Sequence, residues 1–525
     1  MLSNYALGTM VNLDRKSRIP LYQQISEQLR QQITQGLLSD GSFLPPERTL
    51  ARMLGINRST VVNAYGELAA LGLVEPHVGR GTRVRRSVEQ SEKEVIQRTL
   101  PWPELLLPYS ESVSSKVLRE IVALCSRQEI ISLAAGIPNP DYYPHGDFAA
   151  LFQEILAEHG GHALEHCPPE GHYQLREALA RRFSASLPVS APQLKVDDIL
   201  VLSGSQQGIY LIAGALLGPA DLVITENPTF LGALSVFKAF GARIAGIPVD
   251  EEGMRIDVLA QVLERRRPRL IYTVPTFQNP SGVVLSLARR RQLLALARAY
   301  KVPILEDDPY KDMYYDSATK PPPSLKALDL AEGGNQVIYL NSFAKNLFPG
   351  MRLGWMAAPP AVIERSIAAR QLIDLHTTSL YQWALARYLE RGMLDKHLEM
   401  VRGKYRDQRD AMAKALDHYC GDTLERNQPQ GGFYFWCAIK SGENSFSLLE
   451  RAARHNIAFV PGSGLAVPGA TDCDNRIRLN FAVAKPEVLE EGIRRLGAVL
   501  KIKNPRPPAP LGPRQSSGLE LKPLV

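Results

Sequence analysis

Leu21, Ile25, Leu29 and Ile33 recur every four residues with Gln, Glu and Arg between them, which predicts an amphipathic helix opening after Pro20 and stopping at Gly36. A loop rich in Ser, Asp, Gly and Pro follows (SDGSFLPP). ERTLARMLG then predicts a short helix, Gly55 and Ile56 a tight turn, and Asn57 or Ser59 the cap of a longer helix reaching about Leu71. On that helix Val62, Tyr65, Leu68 and Leu71 are taken as one buried face, leaving Asn57, Arg58, Ser59, Thr60 and Asn63 to point outward. LVEPHVGRGTRV reads as two short strands around a Gly-rich tip. Two short helices joined by a Gly-containing turn, with a hairpin behind them, are helix-turn-helix grammar with a wing.

Periodicity lapses over residues 87–116, where charged and Pro-punctuated sequence predicts a partly extended tether with an apolar run at 102–107. From 117 to 500, apolar runs of four to six residues alternate with helical stretches. Candidate strands lie at 199–202, 222–225, 270–274, 302–305, 337–340 and 353–357. Runs buried on both faces and separated by helices predict an α/β domain with a mainly parallel sheet. The last stretch, 503–525, is Pro-rich and cannot bury a core, so disorder is expected there.

The expected layout is therefore a small winged unit over 18–86, a tether over 87–116, a large domain over 117–500 and a tail. A length of 525 residues with 45% apolar and 22% charged positions excludes a mostly disordered or fibrous chain. No long uncharged apolar run and no leader-like N-terminus occur, which predicts a cytoplasmic chain with no membrane association. Five scattered cysteines (Cys125, Cys167, Cys420, Cys437, Cys473) show no metal-ligand spacing and read as reduced thiols. The net charge of +7 is uneven: residues 1–86 hold 11 Lys and Arg against 6 Asp and Glu, and the rest 50 against 48. Basic charge gathered at one end suits a phosphate-backbone partner, or simply a solvated face.

Polar constellations follow the predicted strands one after another, where α/β domains place their active groups. SGSQQG offers Gly204 for a tight turn, with Ser205, Gln206 and Gln207 opening a helix whose amides can hold an anion. ENPTF places Phe230 where it can stack on a planar ring or fill core. TFQNPSG supplies Asn279, and EDDPY supplies three adjacent acids and Tyr310. Three acids at one strand end repel one another, so a cationic partner is expected for at least one. NSFAKNLFPGMRLGW carries Ser342, Lys345 and Arg352, with Lys345 among apolar neighbours that depress its pKa and make it a nucleophile. Arg478, in NRIRLNFA, suits two-pronged capture of a carboxylate. An anion cradle, a ring stacker, an acid, phenol and amide donors and a reactive lysine are what a phosphorylated pyridine aldehyde requires.

LPPERTLARMLGINRSTVVNAYGELAALGLVEPHVGRGTRV resembles the winged helix-turn-helix of the GntR family of bacterial regulators. The resemblance implies that Arg48, Arg58, Ser59 and Thr60 contact phosphates or base edges of an operator duplex, while Gly79, Arg80 and the other wing arginines approach the minor groove. The alternative for Arg48 is an ion pair with Glu47 or Glu67. The large domain resembles class I/II aminotransferases of fold type I. That implies pyridoxal 5'-phosphate as cofactor, Lys345 as the Schiff-base lysine and catalytic residue, and Asp307 as partner of the pyridine nitrogen. It further implies Asn279 and Tyr310 on the ring oxygen, Phe230 stacking, Ser205, Gln206, Ser342 and Arg352 on the phosphate, and Arg478 on a substrate carboxylate. One departure stands out: His166 occupies the position, five residues before Gly171, of a tyrosine that in those enzymes reaches the neighbouring subunit's cofactor. It marks either weakened catalysis or a shifted alignment in a Pro-rich loop.

The fusion resembles the MocR subfamily. It implies a transcriptional regulator that senses an amine, an amino acid or the cofactor itself, built as a head-to-tail homodimer with each reader crossing toward its partner. The rival reading is a working aminotransferase with an accessory DNA-binding module.

Overall fold

The computed structural model describes residues 11–15, 17, 19–35, 37–77, 81–85 and 130–502. The expected helix stop at Gly36, the wing-tip residues Gly79 and Arg80, the tether, the start of the large domain with Cys125, and the tail from 503 lie outside the described residues. Two compact units emerge, Met1–Leu107 and Pro108–Val525.

In the first unit α1 (Leu21–Thr34), α2 (Glu47–Leu54) and α3 (Arg58–Ala70) precede an antiparallel hairpin of β1 (Val74–His77) and β2 (Gly81–Val84). Ile25, Leu29 and Ile33 of α1 pack with Leu50 of α2 and Leu68 of α3, and Val74 opposite Val84 closes the core. Gly55 ends α2 at φ 61°, a left-handed cap that glycine adopts without a Cβ clash. The buried face of α3 differs from the predicted one. Val61, Ala64, Tyr65 and Leu68 are buried, whereas Val62 is 40% and Leu71 58% exposed. A strict spacing of three slips by about 60° per step on a helix of 3.6 residues per turn, so Val62 and Leu71 stand on opposite sides and cannot share a face. Asn57 holds the N-cap position but its side chain makes no capping bond.

In the second unit β3 (Ile131–Ser132) lies outside the main sheet. The main sheet comprises β4 (Ile199–Leu202), β5 (Leu222–Asn227), β6 (Arg243–Asp250), β7 (Gly253–Met254), β8 (Leu270–Thr273), β9 (Ile304–Asp307), β10 (Val337–Ser342) and β11 (Gly354–Ala357). Its order is β4-β11-β10-β9-β8-β5-β6-β7. Strands β10, β9, β8, β5 and β6 run parallel, while β11 is antiparallel to both neighbours and β7 to β6. Alternation sends Ile199, Val201, Tyr339 and Trp355 to one face, and Leu200, Leu202, Ile338, Leu340 and Met356 to the other. A smaller antiparallel sheet follows: β12 (Leu424–Arg426), β13 (Tyr434–Ile439), then β14 (Ile457–Ala458) paired apart with β3, β15 (Val460–Pro461) and β16 (Arg476–Asn480), in the order β12-β13-β16-β15. Three strands run further than their apolar runs suggested. β5 includes Glu226 and Asn227, opposite Ile247 and Pro248 of β6; β9 includes Glu306 and Asp307, opposite Tyr339 and Leu340; and β10 includes Asn341 and Ser342, opposite Trp355 and Gly354 of β11. Polar residues thus sit on the last rungs of the sheet instead of in the loops beyond it. Strand β6, with its alternating exposure, was not among the predicted strands.

The described cysteines, Cys167, Cys420, Cys437 and Cys473, are buried and unbonded to one another. Among the described residues no helix is long and apolar enough to cross a membrane.

Candidate functional site

The carboxyl ends of the parallel strands open onto a cavity of about 840 Å³, and Ser205, Gln206, Phe230, Asn279, Asp307, Tyr310, Ser342, Lys345, Arg352 and Arg478 all line it. Residues far apart along the chain are brought together because all but Arg478 follow or end a strand of the main sheet, and Arg478 reaches in from the middle of β16 in the smaller sheet.

At one end of the cavity, Gly204 (φ 102°) caps the helix α4 (Ser205–Leu216). A Cβ at Gly204 would lie 3.0 Å from the Arg352 guanidinium, so the bare backbone is what admits that side chain. Arg352 is itself left-handed (φ 51°) and donates from Nη2 to the Ser203 carbonyl at 2.9 Å. Gln206 Nε2 donates to the Gly232 carbonyl at 3.0 Å, while its buried Oε1 has no partner.

Deeper in the cavity, Asp307 is 2% exposed on the last rung of β9. Its Oδ2 accepts from the Tyr272 hydroxyl at 3.0 Å, and its buried Oδ1 has no partner. Burial pushes the Asp307 carboxyl up to about 7, although the Tyr272 bond and the Lys345 charge pull the other way. Lys345 Nζ donates to the Gly136 carbonyl at 2.7 Å. Removal from water, with the positive charges of Arg478 and Arg352 nearby, lowers its ammonium to about 7. A lysine nucleophile and a carboxylate with an empty acceptor thus share one desolvated space.

Arg478 is 3% exposed, donating from Nη1 to Asn279 Oδ1 at 2.8 Å and from Nη2 to the Ala134 carbonyl at 2.7 Å. Its guanidinium lies 4.3 Å from the Tyr434 ring centroid, and its Nε is buried without a partner. The Tyr310 and Tyr434 hydroxyls are hydrogen-bonded at 2.9 Å.

Several contributors escaped the reading by motif. Gly136, Tyr272, Tyr434 and Asn480 act through partners far along the chain. Asn480 Nδ2 donates to the carbonyls of Ala135 and Ile137, fixing the segment that carries Gly136. One signal for it was available: Asn480 stands two residues after Arg478 on β16, hence on the same face.

The cation expected beside the three acids is Arg290. Arg290 and Glu306 are both fully buried, with 3.9 Å between Nη1 and Oε1, and Glu306 also accepts from the amides of Leu325 and Lys326. His166 does not line the cavity; its Nδ1 lies 2.8 Å from Nε2 of His376.

In the first unit, Arg58 donates to Glu47 Oε2 from Nη2 at 2.9 Å and from Nε at 3.1 Å, with its side chain 55% exposed. Arg48 is exposed and forms no ion pair with Glu47 or Glu67; Glu47 takes Arg58, and Glu67 takes the Ser26 hydroxyl. Ser59 is exposed and Thr60 half-buried on the first turn of α3.

Comparison with known proteins adds two family matches: aminotransferase class I and II over residues 128–496, and bacterial regulatory proteins of the gntR family over 21–84. The uncharacterized HTH-type transcriptional regulator YisV of Bacillus subtilis (strain 168) is 34% identical over 91% of this chain and 96% of its own length. Aromatic-amino-acid aminotransferase 1 of Thermococcus litoralis is 36% identical over 79% of this chain and 98% of its own. The solved structure of LysN, an alpha-aminoadipate aminotransferase from Thermus thermophilus complexed with N-(5'-phosphopyridoxyl)-L-leucine, superposes with a TM-score of 0.70 at 33% identity, covering 77% of this chain and 98% of that one.

Proposed function

The chain belongs to the class I and II aminotransferase family and carries a GntR-family module at its N-terminus, and on that premise we propose that it is a MocR-type transcription regulator whose large unit binds pyridoxal 5'-phosphate and senses an amine, an amino acid or the cofactor itself. The observation that carries this reading is the pairing, in one cavity, of Lys345 with the unpartnered Oδ1 of Asp307, on the same chain as a helix-turn-helix.

The residues present fit the cofactor. Asp307 Oδ1 is a buried acceptor in want of a proton, which a pyridine N–H supplies. Gly204 leaves the anion end open to backbone amides and to Arg352. Bound there, pyridoxal phosphate supplies an aldehyde carbon open to amines and a ring that withdraws electrons. Lys345 holds it covalently through Nζ, and its lowered pKa leaves a large neutral fraction at pH 7. Asp307 keeps the ring nitrogen protonated; a positive partner at Oδ1 restores the carboxylate form that burial alone disfavours. Phe230 stacks on the ring, Asn279 and Tyr310 face its oxygen, and Ser205, Gln206, Ser342 and Arg352 hold the phosphate. Arg478, rigid on two acceptors and an aromatic face, takes an incoming carboxylate.

Arg48, Arg58, Ser59 and Thr60 contact the operator. An exposed pair such as Glu47–Arg58 contributes only ~0–1 kcal/mol, so phosphate or guanine can displace the carboxylate. The assembly is a cytoplasmic head-to-tail homodimer. Coupling between ligand and DNA sites of about 1–3 kcal/mol shifts operator affinity roughly 5- to 150-fold.

The intact lysine, acid and arginine also support a second reading, a working aminotransferase with an accessory reader. A mobility-shift titration against DNA upstream of the gene, with and without pyridoxal phosphate at fixed salt, separates the two. Selective binding altered by the cofactor is expected. No selective binding in either condition, together with steady amino-donor turnover, would establish the second reading instead.

A further inference from the structure

The side of α3 turned away from the core carries a stripe of Ser59, Val62, Asn63 and Gly66, spaced at i, i+3, i+4 and i+7 and all exposed. Opposite it, Val61, Ala64, Tyr65 and Leu68 are buried, and the Tyr65 hydroxyl donates to the Pro45 carbonyl at 2.9 Å, which fixes the rotation of the helix. Two features of the stripe are unexplained by folding. Val62 is a β-branched apolar residue left 40% exposed among polar neighbours, outside the unit's buried core. Gly66 lies inside the helix, where glycine is less favourable than alanine, yet a Cβ there would meet nothing within 4 Å. The fold therefore requires neither the exposed valine nor the missing side chain.

A partner laid along this stripe explains both. The unit's charge excess, 11 basic against 6 acidic residues over positions 1–86, makes a duplex the partner it attracts. In the major groove, the one apolar group on a base edge is the C5-methyl of thymine, and the amide suited to adenine is that of Asn or Gln. We propose that Val62 is a specificity-determining residue that packs on a thymine methyl, with Asn63 beside it facing adenine and Gly66 keeping the stripe low enough for that approach. The proposal rests on the reading of this unit as a DNA reader and adds what the reader selects: an A·T-containing step under the middle of α3, next to the bases reached by Arg58.

The test uses the full chain and a duplex that it selects from a random-sequence pool. Each thymine of the selected site is replaced singly by deoxyuridine, which removes only the methyl. In the wild-type chain one position per half-site is expected to lose affinity by about five- to tenfold, the low end of the range for one base contact. In Val62→Ser the methyl at that position should no longer matter, while thymines elsewhere behave as before. Gly66→Ala gives a second readout: slower amide exchange in α3, from better helix propensity, together with weaker operator binding. The proposal is overturned if no thymine methyl matters, if the methyl effect survives in Val62→Ser, or if Gly66→Ala slows exchange with affinity unchanged. Failure of the chain to select any sequence would overturn the DNA-reader reading itself, and this inference with it.

Discussion

Arg58 in the reader and Arg478 in the cleft carry the same guanidinium under opposite conditions. Arg58 is 55% exposed and held by one carboxylate, Glu47. Arg478 is 3% exposed and held by Asn279, the Ala134 carbonyl and the face of Tyr434. A duplex brings its own charge and its own groove, so a surface that reads it can be convex, solvated and only loosely preorganised. A small aldehyde brings little, so the protein must supply a concave, dry space in which Lys345 and Asp307 are both moved to about pH 7. Interactions in the reader should accordingly be salt-sensitive and separable, and those in the cleft pH-sensitive and interdependent.

The sharpest break between the two regions is expected from Lys345→Ala. Covalent cofactor attachment, read by mass after borohydride reduction, should vanish, while the unloaded variant binds operator within about twofold of the cofactor-free wild-type chain, as surface reading at another unit requires. Equal loss of both would dissolve the distinction. Arg58→Ala should act in reverse: operator affinity falls about 5- to 150-fold, the ~1–3 kcal/mol of a base-reading arginine, with the cofactor spectrum unaltered.

The pH dependence sharpens the contrast. Attachment needs the neutral amine of Lys345, whose pKa is lowered to about 7, so the neutral fraction grows as pH rises through that value. Stopped-flow attachment rates should rise about tenfold from pH 6 to 8 and then level off. A rate still climbing in proportion at pH 10 would mean a solvated lysine. The smallest effect belongs to Tyr272→Phe. Loss of the hydroxyl that donates to Asp307 Oδ2 should weaken cofactor binding about fivefold, near 1 kcal/mol for one hydrogen bond, and raise the Asp307 pKa further. Cofactor titration by absorbance across pH checks both.

The cleft was more legible in the sequence than the reader's surface. Asp307, Ser342 and Lys345 follow apolar runs directly, so an α/β sheet necessarily gathers them at one edge. What was not legible came through space. Gly136 reaches Lys345 across 209 residues, and Asn480 clamps its segment from β16. Neither has a local pattern. In the reader, order alone identified helix, turn, helix and hairpin, but side-chain facing depended on the phase of α3. Val62 and Leu71, spaced by multiples of three, mimic a core stripe that the true period of 3.6 places elsewhere. Arg48 illustrates the same limit: its neighbour Glu47 belongs to Arg58, eleven residues on.

The link between the two regions is tested most directly by its reciprocal. Pyridoxal phosphate affinity of the full chain would be measured by absorbance at fixed salt, with and without saturating operator duplex. Linkage requires operator to change cofactor affinity by the same factor, about 5- to 150-fold, by which cofactor changes operator affinity. That equality is the expected result. Identical cofactor affinity with and without operator would contradict it and leave an aminotransferase fold that merely shares a chain with a DNA-binding module.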